Sequence, residues 1–283
     1  MTFKKRIKKL CKSSKEIDLK TESKIFIYSD CHRGTGDKAD DFYHNHSLFL
    51  KVIQKYIDEN YLLIELGDGD ELWENNKFED ILKTYKKIYE IYNEQTFKNK
   101  FYFLWGNHNR QWKNKLKIGK KISVFIRADS RIESYESMVL KYDNKSLFLL
   151  HGHQGELIND KLWWIGKFFV KVFWRPVQLR FGFSDLTSPA KNFKARIKVD
   201  KRYIKWIKET NIPTIIGHTH RPMFPMQGHT PYFNSGSCIH PKGISGIEIS
   251  NQKIYLVKWS INNKDNKKIS KKILGGPLNI LNL

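Results

Sequence analysis

Short apolar runs separated by polar turns make up most of this chain of 283 residues. Runs of four to six apolar residues bounded by Gly, Asp or Asn are typical of buried strands. The pair Asp143-Asn144 separates two such runs and predicts a hairpin. Strands are predicted at residues 24–29, 61–66, 101–104, 122–126, 134–142, 145–150, 213–216, 232–234, 244–250 and 253–259.

The longer segments between the first strands carry apolar residues at helical spacing. They predict helices that begin near Ser47 and that cover residues 78–92 and 190–209. Alternating strands and helices followed by hairpins favour an α/β fold in which two mixed sheets pack together with helices outside. Residues 156–210 interrupt this order with an aromatic and basic stretch at 162–175, and we expect them to form a helical cap.

Polar turns rich in His, Asp and Asn follow five of the predicted strands. Because ligands bind beyond the carboxyl ends of strands in open α/β sheets, we expect these turns to meet at one site. Mixed carboxylate, amide and imidazole donors suit Mn, Fe or Zn. Their number is too large for one tetrahedral ion, and a pair of ions can activate water and hold a phosphoryl group. The turns are Asp30-Cys31-His32, Gly67-Asp68-Gly69-Asp70-Glu71, Gly106-Asn107-His108-Asn109, His151-Gly152-His153 and Gly217-His218-Thr219-His220.

The ordered set D-x-H, G-D-x-x-E, G-N-H, H and G-H-x-H resembles the calcineurin-like metallophosphoesterase superfamily. The resemblance spans residues 30–220, which is most of the chain. It implies a four-layer α/β/β/α sandwich of two mixed sheets, with a helical insertion cap. Because the five turns are spread from residue 30 to residue 220 and should close one site, we expect one catalytic domain at residues 24–260, with the cap at 156–210 inside it.

The same resemblance implies a dinuclear site that hydrolyses a phosphomonoester or phosphodiester by attack of a metal-bridging hydroxide. Two divalent ions are expected, with Mn²⁺ first and Fe, Zn or Mg as alternatives. By this resemblance, one ion is bound by Asp30, His32 and His220 and the other by Asn107, His151 and His218, with Asp68 bridging them. His153 is an alternative to His151 as the ligand.

His108 is expected to act as general acid toward the leaving oxygen, or as an electrostatic partner of the phosphoryl group. The residue after this His is usually acidic in the family, and here it is Asn109, which can orient an imidazole but carries no charge. Asp70 or Glu71 could supply the missing carboxylate, and both are predicted to lie just outside the ligands.

Three further side chains are candidates for substrate binding. Arg33 and Arg221 each directly follow a predicted metal ligand, so we expect them at the rim of the site, where a guanidinium can hold phosphate oxygens. Asn109 is expected there as well. Cys31 should point to the opposite face of the extended chain and pack in the core.

The formal net charge of +22, from 51 Lys and Arg against 29 Asp and Glu, predicts attraction to polyanions. A Lys, Asn and Ile-rich bias of the source genome is the alternative explanation. Three cysteines without zinc spacing favour a reducing compartment and free thiols. Because no apolar run is long enough to span a membrane and no signal sequence follows the basic start, the sequence predicts a cytoplasmic protein, with peripheral membrane contact as an option.

The two ends of the chain are predicted to be basic tails at residues 1–23 and 261–283. Residues 2–12 also have the spacing of a short amphipathic helix that could lie on an anionic membrane, but the tail is the preferred interpretation. We expect residues 261–272 to be disordered.

The substrate follows less directly from the sequence. A soluble phosphorylated small molecule or a protein is the first hypothesis. The stretch at 162–175, together with a faint similarity of Glu71-Leu72-Trp73-Glu74 to UDP-diacylglucosamine pyrophosphatases, favours a lipid-linked or nucleotide-linked substrate at the membrane surface as an alternative. Basic residues interleaved with aromatic residues suggest a nucleic-acid phosphodiesterase as another alternative, although no nucleic-acid-binding motif supports it. A scaffold without turnover is the alternative from another class, and the oligomeric state is not predicted.

Overall fold

The computed structural model describes residues 2–156, 160, 193–262 and 268–283. Within them the chain forms two mixed sheets with helices on the outer side of each. The described α-helices are α1 (Phe3–Lys12), α2 (His46–Asp58), α3 (Phe78–Thr84), α4 (Lys86–Phe97), α5 (Lys117–Ile126) and α6 (Phe193–Thr210). The described strands are β1 (Lys15–Asp18), β2 (Ile25–Tyr28), β3 (Leu62–Leu66), β4 (Phe101–Leu104), β5 (Ser134–Tyr135), β6 (Ser137–Tyr142), β7 (Lys145–Leu150), β8 (Thr214–Ile216), β9 (Tyr232–Asn234), β10 (Ile244–Ser250), β11 (Lys253–Asn262) and β12 (Lys268–Asn279).

The larger sheet has seven strands in the order β12-β11-β10-β2-β3-β4-β5. Strands β2 to β5 run parallel, whereas β10, β11 and β12 pair antiparallel. The smaller sheet has the order β1-β6-β7-β8-β9, with β7, β8 and β9 parallel. The parallel strands of both sheets therefore carry the turns that the sequence singled out.

Three apolar layers hold the sheets and helices together. Alternate residues of β2 divide between two of them: Ile25 and Ile27 face the smaller sheet, whereas Phe26 and Tyr28 face α2 to α5. The outer face of the smaller sheet packs against α1 and α6. The result is the predicted α/β/β/α sandwich of two mixed sheets.

Most of the predicted strands are confirmed. The hairpin at Asp143-Asn144 is confirmed as well, because Tyr142 pairs with Lys145 in the register of β6 and β7. The strand predicted at 122–126 is wrong, since these residues end α5. Ile118 and Ile122 are buried four residues apart while Val124 is 81% exposed, so the helical period prevails.

The helix predicted at 78–92 is divided in two at Tyr85. This residue leaves the helical conformation at φ −114° and ψ 27°. Its hydroxyl donates a hydrogen bond of 2.5 Å to Asp40 Oδ2 in the loop before α2. The break places α3 and α4 separately against the larger sheet.

Both ends of the chain differ from the predicted tails. Residues 3–12 form α1, whose Ile7 and Leu10 are buried against the smaller sheet, so its apolar face is already covered by protein. Residues 268–279 form β12, which pairs with β11 along its length. Backbone pairing orders this strand even though most of its side chains are exposed, and side-chain polarity alone does not reveal such pairing.

The predicted cap at 156–210 lies largely outside the described residues, which include Glu156, Asp160 and α6 from that range. The aromatic stretch at 162–175 lies wholly outside them, so the cap stays a prediction. None of the described helices is long and apolar enough to cross a membrane. The cytoplasmic location also stays a prediction.

Candidate active site

The five polar turns meet at the carboxyl ends of β2, β3, β4, β7 and β8. Backbone hydrogen bonds join the turns directly: Asp30 N donates to Gly67 O at 3.1 Å and His32 N donates to Asp68 O at 2.9 Å. Gly217 N donates to His151 O at 2.9 Å and joins the turns of the smaller sheet in the same way. The two sheets thus bring their strand ends to one place.

Left-handed backbone conformations recur in these turns. A left-handed backbone costs a non-glycine residue about 1–3 kcal/mol and persists where surrounding structure fixes it. Five of the seven candidate ligands adopt this conformation, with φ between 47° and 64°. They are Asp30, His32, Asp68, His218 and His220.

Two glycines allow the turns to approach closely. A Cβ on Gly106 would lie 2.2 Å from Asp68 Oδ1, and a Cβ on Gly217 would lie 2.6 Å from Asp30 Oδ2. Any larger residue would displace these carboxylates. The glycines are therefore required by the packing of the site.

The first group of donors consists of Asp30, His32 and His220. His220 Nε2 lies 3.0 Å from Asp30 Oδ1, and the two Nε2 atoms of His32 and His220 lie 3.2 Å apart. Two donors that share one ion at about 2.1 Å lie about 3.0–3.5 Å apart. These two separations match a common ion, and the third, 3.8 Å between His32 Nε2 and Asp30 Oδ1, is slightly longer.

The second group consists of Asp68, His151 and His218, which present their donor atoms within 4.8 Å of one another. His151 Nδ1 donates to the Leu66 carbonyl at 2.9 Å, which directs Nε2 toward Asp68 Oδ2 at 3.0 Å. Such a bond fixes the tautomer that a metal ligand needs. Asn107, the fourth predicted member, is 1% exposed at the end of the adjacent β4.

Several polar atoms of these groups are buried without a hydrogen-bond partner among the described residues. They are both side-chain atoms of Asn107, together with Asp30 Oδ1 and His151 Nε2, whose charged neighbours at 3.0 Å lie outside hydrogen-bond geometry. Buried polar atoms nearly always have hydrogen-bond partners, so donors that converge from separate strands without such bonds fit a shared metal ion. Their chemistry, carboxylate with imidazole and amide, fits divalent transition ions.

The charges of the groups support each other. Burial alone would raise the pKa of Asp68, but the imidazoles of His151 and His108 hold that pKa well below its usual range. Burial alone would lower the pKa of His151, but the carboxylates of Asp68 and Asp30 raise it to about 8. The carboxylates are therefore ionised at neutral pH, as metal binding requires.

His108 lies beside the two groups and is held by Glu71 and Trp73. Its Nδ1 is 2.9 Å from Glu71 Oε1, and its ring stacks on Trp73 with centroids 4.1 Å apart. The other oxygen of Glu71 is 2.8 Å from the same His108 nitrogen and 2.7 Å from His32 Nδ1. One carboxylate thus orients a candidate metal ligand and the candidate acid together.

Glu71, and not Asp70, supplies the carboxylate that Asn109 lacks. Burial alone would raise the pKa of Glu71, but His108 and His32 lower it to about 2. Asp70 faces away from these histidines and accepts hydrogen bonds from Trp112 Nε1 at 2.9 Å and from Tyr89. Asp70 therefore contributes to the support of the turns.

The expectation that Arg33 lies at the rim is wrong. Its side chain is fully buried, with Nη2 2.9 Å from Asp70 Oδ1 and 2.8 Å from Glu65 Oε1. Its guanidinium also donates to the hydroxyls of Tyr89 and Tyr92, each at 3.2 Å. The guanidinium uses its donors within the protein core, so it stabilises the fold and cannot bind a phosphate group.

Asn109 is also fully buried, and its Oδ1 accepts a hydrogen bond of 2.6 Å from Gly106 N. It therefore shapes the turn, contrary to the substrate contact predicted for it. Arg221 is exposed next to His220, as expected for a residue at the rim. His153 is buried with its ring 5.5 Å from that of His151, and the donor groups contain His151 rather than His153.

Three supporting residues were not predicted. Glu156 Oε2 lies 3.1 Å from His218 Nε2, and nothing in the local sequence marks it. Ser29 donates to Asp30 Oδ2 and contacts Ser235 Oγ at 2.7 Å, and its position beside a ligand was a usable signal. Trp73 Nε1 donates to Asn107 O at 2.8 Å. Cys31 packs in the core, as predicted.

Comparison with known proteins gives one family and several structures. The sequence pattern of the calcineurin-like phosphoesterase family matches residues 23–235, which include all five turns. None of the curated proteins matches the chain.

Three solved structures are among those that match the chain. A conserved predicted phosphoesterase from Streptococcus pneumoniae is 13% identical, with 90% of this chain and 99% of that chain covered and a TM-score of 0.36. Vacuolar protein sorting 29 from Cryptosporidium parvum is 10% identical, with 90% and 99% covered and a TM-score of 0.42. Its counterpart from Chaetomium thermophilum is 10% identical, with 90% and 95% covered and a TM-score of 0.40.

Proposed function

The chain belongs to the calcineurin-like phosphoesterase family, and from this premise we propose that it hydrolyses a phosphomonoester or phosphodiester at a site for two divalent metal ions. The family and the clustered donors support a metal-dependent hydrolase of phosphate esters. The observation that carries the dinuclear proposal is the convergence of two donor groups, linked by one carboxylate. Asp68 Oδ2 lies 3.0 Å from His151 in one group and 3.9 Å from His32 in the other.

Asp30, His32 and His220 would hold one ion, and Asn107, His151 and His218 the other, with Asp68 shared between them. Two bound divalent ions supply a water of lowered pKa and stabilise charge on the phosphoryl oxygens. Mn²⁺ is the first choice for both positions, with Fe, Zn or Mg as alternatives, because the donors mix oxygen and nitrogen.

His108 would donate the proton that the leaving oxygen needs. Glu71 occupies Nδ1 of this imidazole, which leaves Nε2 for the substrate. The ring is held in place by the stack on Trp73, so the proton is presented in one direction. The ionised Glu71 carboxylate is available to balance the charge of protonated His108 and to replace the acidic residue that Asn109 lacks.

Arg221 would bind non-reacting phosphate oxygens, because it is exposed directly after the candidate ligand His220. A guanidinium can hold two phosphate oxygens at once. The lipid-linked or nucleotide-linked alternative depended on residues 162–175, which lie outside the described part of the chain, and it stays a prediction. No specific observation on the described residues favours a nucleic-acid phosphodiesterase or a scaffold without turnover.

Turnover of para-nitrophenyl phosphate and of its bis ester, with and without Mn²⁺, tests the proposal. We expect metal-dependent turnover of at least one ester, and the preferred ester assigns monoesterase or diesterase activity. Asp68→Asn should lower turnover by more than about a thousandfold, because metal catalysis contributes several kcal/mol to the barrier. His229→Ala, which changes an exposed histidine outside the site, is the matched control. A folded protein without metal-dependent turnover of either ester contradicts the proposal.

A further inference from the structure

The outer face of the smaller sheet is covered by a two-helix layer made of α1 and α6. The rings of Phe3 and Tyr203 meet edge to face with centroids 5.2 Å apart. Lys4 Nζ pairs with Glu209 Oε1 at 2.8 Å. The two helices therefore present one continuous surface to solvent.

Lysines form a stripe on the solvent side of α6. They recur at intervals of four and three residues, which places them on one helix face. The opposite face carries Val199, Tyr203 and Trp206, all buried against the sheet. The stripe consists of Lys194, Lys198, Lys201, Lys205 and Lys208, all exposed.

Helix α1 repeats this arrangement. Its buried residues Ile7 and Leu10 face the sheet, so the lysines on the other side point to solvent. They are Lys5, Lys8, Lys9 and Lys12. We call the exposed lysines of α1 and α6 together the lysine face.

The two helices that carry the lysine face hold half of the formal net charge of the protein. Helices α1 and α6 contain 13 basic and 2 acidic residues, a net charge of +11 out of +22. Neither acidic residue is free on this face. Asp200 is 6% exposed and accepts a hydrogen bond from Tyr232, and Glu209 pairs with Lys4.

The helices on the other side of the molecule differ in charge. Helices α2 to α5 contain 8 basic and 5 acidic residues, a net charge of +3 over a longer stretch of chain. A composition bias of the genome would raise the charge of both helical layers alike. The asymmetry therefore belongs to this particular surface.

We propose that the lysine face binds the surface of an anionic lipid bilayer. The stripe runs along α6 from Lys194 to Lys208, about 21 Å at 1.5 Å per residue, and lies side by side with a second basic helix. Compact ammonium groups on long flexible stems suit a diffuse anionic surface, whereas paired recognition of single phosphates favours arginine.

One observation favours lipid over single-stranded nucleic acid. Single-stranded nucleic acid is bound through aromatic rings on which bases stack. The aromatic side chains described in this layer, Phe3, Tyr203 and Trp206, pack inward and offer no such ring.

The apolar faces of both helices are already covered, so the contact with the bilayer is electrostatic and involves no insertion from α1 or α6.

Flotation with two kinds of vesicles tests the proposal. The full chain is mixed with vesicles of pure phosphatidylcholine, or of phosphatidylcholine with phosphatidylglycerol, at low and at high salt. We expect binding only to the anionic vesicles, and release at about 1 M salt, where the screening length falls to about 3 Å. These outcomes do not depend on catalysis.

Charge reversal locates the contact. Lys198→Glu, Lys201→Glu and Lys205→Glu together should weaken vesicle binding at least about a hundredfold, since each lysine near an anionic surface contributes about fivefold. Lys87→Glu, Lys117→Glu and Lys120→Glu make the same change in net charge on exposed residues of the opposite helical layer and should leave most binding intact. Both variants should unfold at the same temperature as the original protein and turn over a soluble ester equally well.

Three results overturn the proposal. One is the absence of vesicle binding by the original protein at low salt. Another is an equal loss in both variants, which would assign binding to net charge alone. The third is tight binding of a random duplex RNA that the α6 variant loses, while anionic vesicles are ignored.

Discussion

At the scale of single residues, Glu71 has the most consequential contacts in the site. Both of its oxygens lie near His108 Nδ1, at 2.9 Å and 2.8 Å, and one of them is also 2.7 Å from His32 Nδ1. Its position three residues after Asp68 in the same turn makes this possible. Protonation of the leaving group and retention of the first metal ion are therefore expected to depend on one carboxylate.

Replacing His108 with Ala should slow hydrolysis in proportion to the difficulty of the leaving group. General acid catalysis contributes about 10²–10⁴-fold when the leaving oxygen needs a proton. An alkyl phosphate should lose that factor, whereas para-nitrophenyl phosphate, whose leaving group is stable as an anion, should lose much less. Steady-state rates on the two esters measure the difference, and an equal loss on both removes the acid role.

Replacing Glu71 with Gln keeps the shape of the side chain and removes its charge. We expect two separable defects: the leaving-group dependence seen for His108→Ala, and a metal affinity lower by about 10–100-fold, because residues that orient ligands have effects of that size. Titration of metal binding by calorimetry checks the second defect. Asn75→Ala, near the same turn and hydrogen-bonded to the Glu71 carbonyl, is a control that should leave metal affinity almost unchanged.

Metal affinity should rise with pH because His151 must lose a proton to bind. Its pKa is raised to about 8 by Asp68 and Asp30 in the metal-free protein. Below that pH an ion has to displace the proton, so affinity should rise about tenfold per pH unit for each displaced proton and level off above about pH 8. The pKa of His32 is raised as well, so a second proton adds to the slope.

The metal-free protein should show the opposite trend in stability. Protonated His151 is stabilised by the neighbouring carboxylates. Its contribution to the free energy of unfolding is complete below the unfolded pKa of about 6.5 and is lost as pH rises through about 8.

Calorimetry at pH 7 in buffers of different ionisation heat counts the protons released on metal binding. A count of zero at pH 7 contradicts the assigned ligand role of His151.

At the scale of elements, a buried ionic cluster ties the turn after β2 to the turn after β3. Arg33 comes from the first turn and Asp70 from the second, and Glu65 comes from β3 itself. A Cβ on Gly69 would lie 1.8 Å from Glu65 Oε1, so the cluster packs directly on the backbone of the second turn. The cluster therefore holds the backbone that carries His32 and Asp68.

Replacing Arg33 with Met should lower the free energy of unfolding by about 3–5 kcal/mol, because Glu65 and Asp70 would be left as uncompensated buried charges. Arg221→Met is the matched control, since this arginine also follows a candidate ligand but is exposed. It should change stability by less than about 0.5 kcal/mol. Denaturant unfolding measures both, and similar stability of the two variants would contradict a structural role for Arg33.

Most strands and the five turns could be predicted from local sequence patterns. A strand buried on both faces is a short apolar run, and the residues of the turn that follows it are adjacent to it in the chain. The strand ends at Leu66, Leu104 and Ile216 follow from such patterns. The burial of Arg33 does not, since its partners Glu65 and Asp70 become close only in the fold. The order of β12 likewise depends on pairing with β11, and the helix at 117–126 depends on what Ile118 and Ile122 contact.

At the scale of the whole molecule, the two helical layers have separate characters. Helices α2 to α5 carry a nearly balanced charge, whereas α1 and α6 carry the lysine face. The lysine-bearing layer also touches the site, because Tyr203 donates to Gly152 O at 3.3 Å in the turn between His151 and His153. A surface bound to α6 would therefore lie on the side of the molecule that holds His151 and His218.

The proposed catalysis depends on two ions held by donors from both sheets, so the number of metal ions bound per chain is the decisive measurement. The protein is equilibrated with Mn²⁺ at pH 8, freed of excess by dialysis, and analysed for bound metal beside Asp68→Asn. We predict two ions per chain for the original protein and fewer than one for the variant, in which both donor groups lose their shared carboxylate. Retention of no more than one ion by the original protein, or of two by the variant, would contradict the account.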